Sequence, residues 1–129
     1  MLDRDKLNEL SKEIFEAALS VHREMGPGLL ESVYQECLLK ELKLRDINSQ
    51  QMVMIPLIYR GIELNKSYII DILVEDEIII ELKAQDAILP VHEAQLISYL
   101  KLADKRLGFL INFNVPLIKN GFRRFVNNF

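Results

Sequence analysis

The chain carries one cysteine, no tryptophan, five glycines and four prolines in 129 residues. A lone Cys37 excludes an intrachain disulfide and a cysteine-based metal centre. The glycines form no loop of the nucleotide-binding kind. No apolar run approaches the roughly 20 residues that span a bilayer. The opening MLDRDKLNEL mixes acidic and basic groups without the apolar stretch of a secretory signal. A soluble, cytoplasmic protein with no membrane partner is the expectation. A basic surplus is missing too, since the net charge is −3, whereas non-specific nucleic-acid binders are usually basic. The charge is unevenly spread: residues 101–129 hold six Lys/Arg against Asp104 alone. That segment is either a solvated surface or a local phosphate-binding face.

Half the residues are hydrophobic and 27% charged, a globular balance, and the length suits one domain over residues 1–129. Leu7, Leu10, Ile14, Ala17, Val21 and Met25 recur at helical spacing, predicting an amphipathic helix from Asp3 to about Met25. The GPG at Gly26–Gly28 ends it. A second helix is expected over about Leu29–Leu44, with Leu30, Val33, Cys37, Leu38 and Leu42 inward. MVMIPLIYR, IELNKSYIIDILVE and EIIIELKA then read as strands, with Pro56 marking an edge or a bulge. VHEAQLISYLKLADKR returns to helical spacing, with Leu96, Leu100 and Ala103 inward; LGFLINF is a buried strand and GFRRFVNNF a short last one. The order ααβββαβ(β) describes an α+β domain: an antiparallel meander, then a crossover helix that brings the next strand alongside.

Within the central pair of strands, Asp71, Glu81 and Lys83 interrupt runs of isoleucine where charge is costly. Side chains alternate faces along a strand, so Glu81 and Lys83 share one face. A turn centred on Asp76 makes residues opposite whose numbers sum to 152, and this pairs Asp71 with Glu81. Their Cβ atoms would then lie about 5 Å apart. Two carboxylates so close repel; either one takes up a proton or a cation neutralises both. A divalent metal, Mg²⁺ or Mn²⁺, suits hard oxygen ligands in this arrangement. The alternative is ordinary pairing with Lys83 and arginines on a solvated sheet face.

At these residues the sequence resembles the PD-(D/E)xK nuclease superfamily, through Asp71, nine residues, then Glu81-Leu82-Lys83. GLLESVY, Gly28 to Tyr34, resembles the signature of its GxxExxY branch. HEAQLISYLKLADKRLGFLINF, with Gln95 and Tyr99, is similar to that family's helix–strand segment, and GFRR to its ending. The resemblance spans about His22 to Arg124; Ile70 stands where the superfamily is named for proline. It implies a restriction-endonuclease-like αβββαβ core with an extra N-terminal helix. It implies a metal-dependent nuclease acting on nucleic acid, DNA before RNA, and a homodimer would let so small a core reach both strands. Asp71, Glu81 and the Leu82 carbonyl would hold the metal, with Glu31 as a further acidic ligand, direct or through water. Lys83 would orient or deprotonate the attacking water. Gln95 and Tyr99 would contact substrate or brace the carboxylates, and Arg123 and Arg124 would grip phosphates.

Each residue also has a plainer reading. Glu31 would sit at the third helical position behind a Gly28 N-cap, complementing the helix dipole. Tyr34 and Cys37 would be core, His22 a satisfied structural histidine, and His92 a site residue or a helix cap. A competing function is a catalytically silent nuclease-fold module binding nucleic acid or a protein partner; a small-molecule hydrolase using the same carboxylates ranks third.

Overall fold

The computed structural model describes all residues, 1–129. Its elements follow the expected order: α1 (Arg4–Met25), α2 (Glu31–Leu44), β1 (Ser49–Tyr59), β2 (Ile62–Val74), β3 (Ile78–Lys83), α3 (Pro90–Leu102), β4 (Leu107–Asn112), a 3₁₀ turn (Ile118–Gly121) and β5 (Phe122–Val126). The five strands form one sheet in sequential order, antiparallel except for β3 and β4. That parallel step is the crossover through α3, and the whole is the expected α+β architecture. No helix is long and apolar enough to cross a membrane.

The sheet is the middle of three layers, which explains why β3 can write III. Ile78, Ile80 and Leu82 face the α1–α2 layer, together with Leu107, Phe109 and Ile111 of β4. Ile79 points the other way, into a smaller core with Leu96, Tyr99, Leu100 and Leu110 beneath α3. A strand buried on both faces has no polar side to show. Gly108 permits the close seat of α3, because a Cβ there would stand 3.1 Å from Leu96 and 3.2 Å from Leu100.

Asp3 caps α1, its Oδ1 accepting the Lys6 amide. The buried line of α1 runs through Leu7, Ile14, Ala17, Ala18 and Val21; of the other positions expected inward, Leu10 is half-buried and Met25, at the last turn, is exposed. In α2 the buried stripe is Tyr34, Leu38 and Leu42. Leu30, expected inward, is 73% exposed because it precedes the first helical turn as N-cap. Pro56 lies in an edge strand beside a register shift between Pro56 and Ile58, satisfying both readings of that proline.

Between β2 and β3, Glu75 and Asp76 both take positive φ (52° and 57°), and the Glu77 amide closes on the Val74 carbonyl. This turn opens a three-residue connection, Glu75–Glu77, whose twist matches antiparallel strands. It sets the register Ile72↔Ile80, Leu73↔Ile79 and Val74↔Ile78, the sum of 152 expected from the sequence. Upstream, β2 twists over. Ile70 and Ile72 are two residues apart, yet Ile70 joins the α3 side and Ile72 the α1–α2 side. Asp71 sits at that point. Across from it in β1, between the pairs Gln51↔Ile72 and Val53↔Ile70, Met52 takes a φ of 53°.

Candidate functional site

The β2–β3 ladder ends one step before Asp71 and Glu81, and the two carboxylates replace it. The Asp71 amide donates to Glu81 Oε1 at 3.1 Å, and the Leu82 amide donates to Asp71 Oδ2 at 2.8 Å. Where the strands part, each acid thus satisfies a main-chain amide of the opposing strand. The side chains also lie within hydrogen-bonding reach of each other.

This closeness is electrostatically costly. Glu81 is only 8% exposed. Burial, then the Asp71 carboxylate, pushes its carboxyl up to about 9. Burial also raises Asp71, against the Leu82 amide and the Lys83 ammonium, which favour its charged form. Without a cation the pair therefore holds one proton near neutral pH, and a carboxylate facing a carboxylic acid is the result.

Glu31 approaches from the other layer. Burial raises its carboxyl, Lys83 lowers it and Asp71 raises it, so all three charges share one neighbourhood. The helix starts at Glu31 itself, behind a Leu30 N-cap. Glu31 is therefore the first helical residue and not the third, and Gly28, at φ 96°, belongs to the preceding turn. The reach-back capping role expected for a glutamate three residues into a helix does not apply; no side chain caps α2 at all.

Tyr99 is 6% exposed and packs against Tyr68, with ring centroids 5.0 Å apart and planes tilted by 47°. Burial raises its hydroxyl, followed by Glu81, Tyr68 and Asp71, which places it beside the acidic pair. Gln95, one turn earlier, is exposed. His92 takes the capping alternative, its Nδ1 accepting the Leu89 amide at 3.1 Å. His22 is structural: buried, its Nε2 lies 2.7 Å from the Val115 carbonyl. Arg123 pairs with Glu93, and Arg124 reaches Asn8 Oδ1 at 3.2 Å and lies over the Phe129 ring. Both stand on β5, two strands from β3.

Two residues not singled out in the sequence hold this site in place. Gln35, one turn after Glu31, donates from Nε2 to the Asp71 carbonyl at 3.3 Å. Its i+4 spacing from Glu31 was the available signal. Asn112 is nearly buried and clamps the chain just past Lys83. Its Nδ2 donates to the Gln85 carbonyl at 2.8 Å, and its Oδ1 accepts the Gln85 and Asn114 amides. The Phe113 amide adds a bond to the Lys83 carbonyl at 3.0 Å.

The donor chemistry fits a hard divalent ion: two oxygen-bearing groups in contact, under strong pressure to lose their shared proton to a cation. No third His, Cys, Asp or Glu closes on the pair to complete a compact cluster, so the remaining positions would fall to water, main-chain oxygen or substrate.

No curated protein and no solved structure gives a significant match to the chain. The family model of the PD-(D/E)XK nuclease superfamily matches residues 8–125, nearly the whole length. With its αβββαβ core, the chain belongs to the PD-(D/E)XK nuclease superfamily.

Proposed function

We propose that this domain is a divalent-metal-dependent phosphodiesterase acting on nucleic acid, with DNA as the favoured substrate, and a member of the GxxExxY branch. Members of the superfamily generally use divalent metals. The observation that carries the reading is the Asp71–Glu81 contact with Lys83 on the same strand face. One acid would suffice to satisfy a main-chain amide, and a second beside it costs the sheet a shared proton, whereas a metal site needs both deprotonated around a cation. Asp71, Glu81 and the Leu82 carbonyl hold Mg²⁺ or Mn²⁺ in this proposal, with Glu31 acting through water. The ion would supply acidified water and neutralise charge on the phosphate. Lys83 orients the attacking water and adds a positive charge near the scissile phosphate. Tyr99 braces the acidic pair from α3. Gln95, Arg123 and Arg124 meet the sugar–phosphate backbone at the rim, and a homodimer brings two sites to one duplex.

Incubation with Mg²⁺ or Mn²⁺ and a panel of single- and double-stranded DNA and RNA tests this. Cleavage is expected for the unmodified protein and lost in Glu81→Ala and Lys83→Ala. Cleavage that survives both substitutions comes from a contaminant, and the proposal fails.

A silent nuclease-fold binding module is the second reading. It draws support from the internal partners of the C-terminal cations: Lys105 with Asp76, Arg106 with Glu77 and Arg123 with Glu93. Metal binding with no turnover on any substrate would favour it.

A further inference from the structure

The start of α2 is built unlike that of α1. Leu30 occupies the N-cap and offers no side-chain acceptor, so the Val33 amide closes on the Leu30 carbonyl at 3.0 Å and no side chain anchors the helix start as Asp3 does in α1. The preceding turn contains Gly26 and Gly28, both at positive φ and with open space around each. Such a turn is loose unless something holds it. Glu31, the first helical residue, inherits whatever freedom it has.

Tyr34 holds it. Its hydroxyl donates to the Gly26 carbonyl at 2.5 Å and accepts the Leu29 amide at 3.1 Å, bridging both ends of the turn. Its ring is fully buried and stacked on Phe113, with centroids 4.6 Å apart and planes 6° from parallel. Phe113 in turn donates its amide to the Lys83 carbonyl. One side chain therefore ties the turn that launches Glu31 to the end of the strand that presents Lys83.

We infer that Tyr34 is a positioning residue, whose hydroxyl fixes the Gly26–Leu29 turn and so holds Glu31 toward the Asp71–Glu81 pair. The inference rests on the proposed metal site and deepens it. Packing accounts for the ring but not for a hydroxyl that spans the turn. Gly28, Glu31 and Tyr34 thereby act as one unit, in which Gly28 shapes the turn, the turn launches the acid and the phenol locks the turn.

Tyr34→Phe keeps the stacked ring and removes only the two hydroxyl bonds. Mn²⁺ binding is measured by calorimetry for the unmodified protein, Tyr34→Phe, Glu31→Gln and the double variant, with amide exchange at Leu29 recorded alongside. The expected result is about a tenfold loss of Mn²⁺ affinity in each single variant and no further loss in the double variant. Leu29 exchange accelerates in Tyr34→Phe and stays unchanged in Glu31→Gln. Faster Leu29 exchange with unchanged Mn²⁺ affinity overturns the role of Tyr34 and leaves the metal site standing. Additive losses also overturn it, since Tyr34 would then not act through Glu31. If the unmodified protein binds no Mn²⁺, the metal site falls and this inference with it.

Discussion

Asp71 and Glu81 exchange main-chain partners across a parting pair of strands: the Asp71 amide is bound by Glu81, and Asp71 binds the Leu82 amide. This reciprocity holds both acids in one place although their charges repel. A sheet that merely continued its ladder would use carbonyls there, and the carboxylates would be free to swing apart. Burial, and then the neighbouring Asp71 carboxylate, push the Glu81 carboxyl up to about 9, which is the cost of this arrangement.

That cost gives the metal-free protein a distinctive pH dependence. A carboxyl raised from 4.5 to about 9 keeps in the folded state a proton that the unfolded chain has lost. Its contribution to stability is complete below 4.5 and is lost as pH rises toward 9, by at most about 1.4 kcal/mol per pH unit. The melting temperature is expected to fall from pH 6 to pH 9, to recover on adding Mn²⁺, and to be flatter in Glu81→Gln. Calorimetric scans across that range check it. Identical slopes for Glu81→Gln and the unmodified protein would show that the pair carries no such strain.

Lys83→Ala is expected to lower turnover by about 10² to 10⁴, with Mn²⁺ affinity preserved or improved because a competing positive charge is gone. Single-turnover kinetics and calorimetry separate these effects. A large loss of affinity would make Lys83 a support for the acids.

Asn112→Ala removes three hydrogen bonds from a nearly buried amide and leaves the Gln85 groups without partners. A destabilisation of about 1–3 kcal/mol is expected, together with slower cleavage as the chain beyond Lys83 loosens. Denaturant unfolding and rate measurements on one preparation decide the matter. Asn112→Asp keeps only the acceptor and should recover part of the stability.

Gly121→Ala should be among the most damaging small changes in the molecule. The added Cβ would meet the Asn112 carbonyl oxygen at 2.1 Å, a clash with main chain that no rotamer relieves. The melting temperature should drop by several degrees or more, and the end of β4 should gain amide exchange. Full stability would mean that the 3₁₀ turn yields readily.

For Arg123 and Arg124 the discriminating quantity is salt. If both meet phosphates, the double alanine variant binds nucleic acid with a log–log salt slope smaller in magnitude by about 2. An unchanged slope would leave them to Glu93, Asn8 and Phe129.

The element order and the register of the acidic hairpin are legible in the sequence because both depend on local signals. EDE is the only polar break between two apolar runs, and strand periodicity does the rest. The start of α2 is not legible in this way. Its cap is a leucine without a side-chain acceptor, so helix-start rules place the boundary at Gly28, and Glu31 is misassigned to the third position. Gln35 offers only its i+4 spacing from Glu31, a weak signal in a lone neutral amide. Its role emerges only where the twist at Asp71 exposes a carbonyl for it to bind. The partners of Arg123 and Arg124 lie 30 and 116 residues away, beyond anything spacing can reveal. The surplus positive charge of residues 101–129 is visible, but the pairing of Lys105, Arg106 and Arg123 with Asp76, Glu77 and Glu93 is a product of the tertiary fold.

The tight reversal at Glu75–Glu77 has a consequence for how the proposed activity would be lost. Because alternate side chains leave a strand on opposite sides, one inserted or deleted residue there would slide β3 by a single step. Ile80 or Leu82 would then stand across from Asp71, with the carboxylate of Glu81 turned to the far layer. A frame error of one residue in a surface loop would dismantle the chemistry at a distance. Descendants bearing such an indel would keep the outline of the fold without the acidic pair on which the proposed reaction depends.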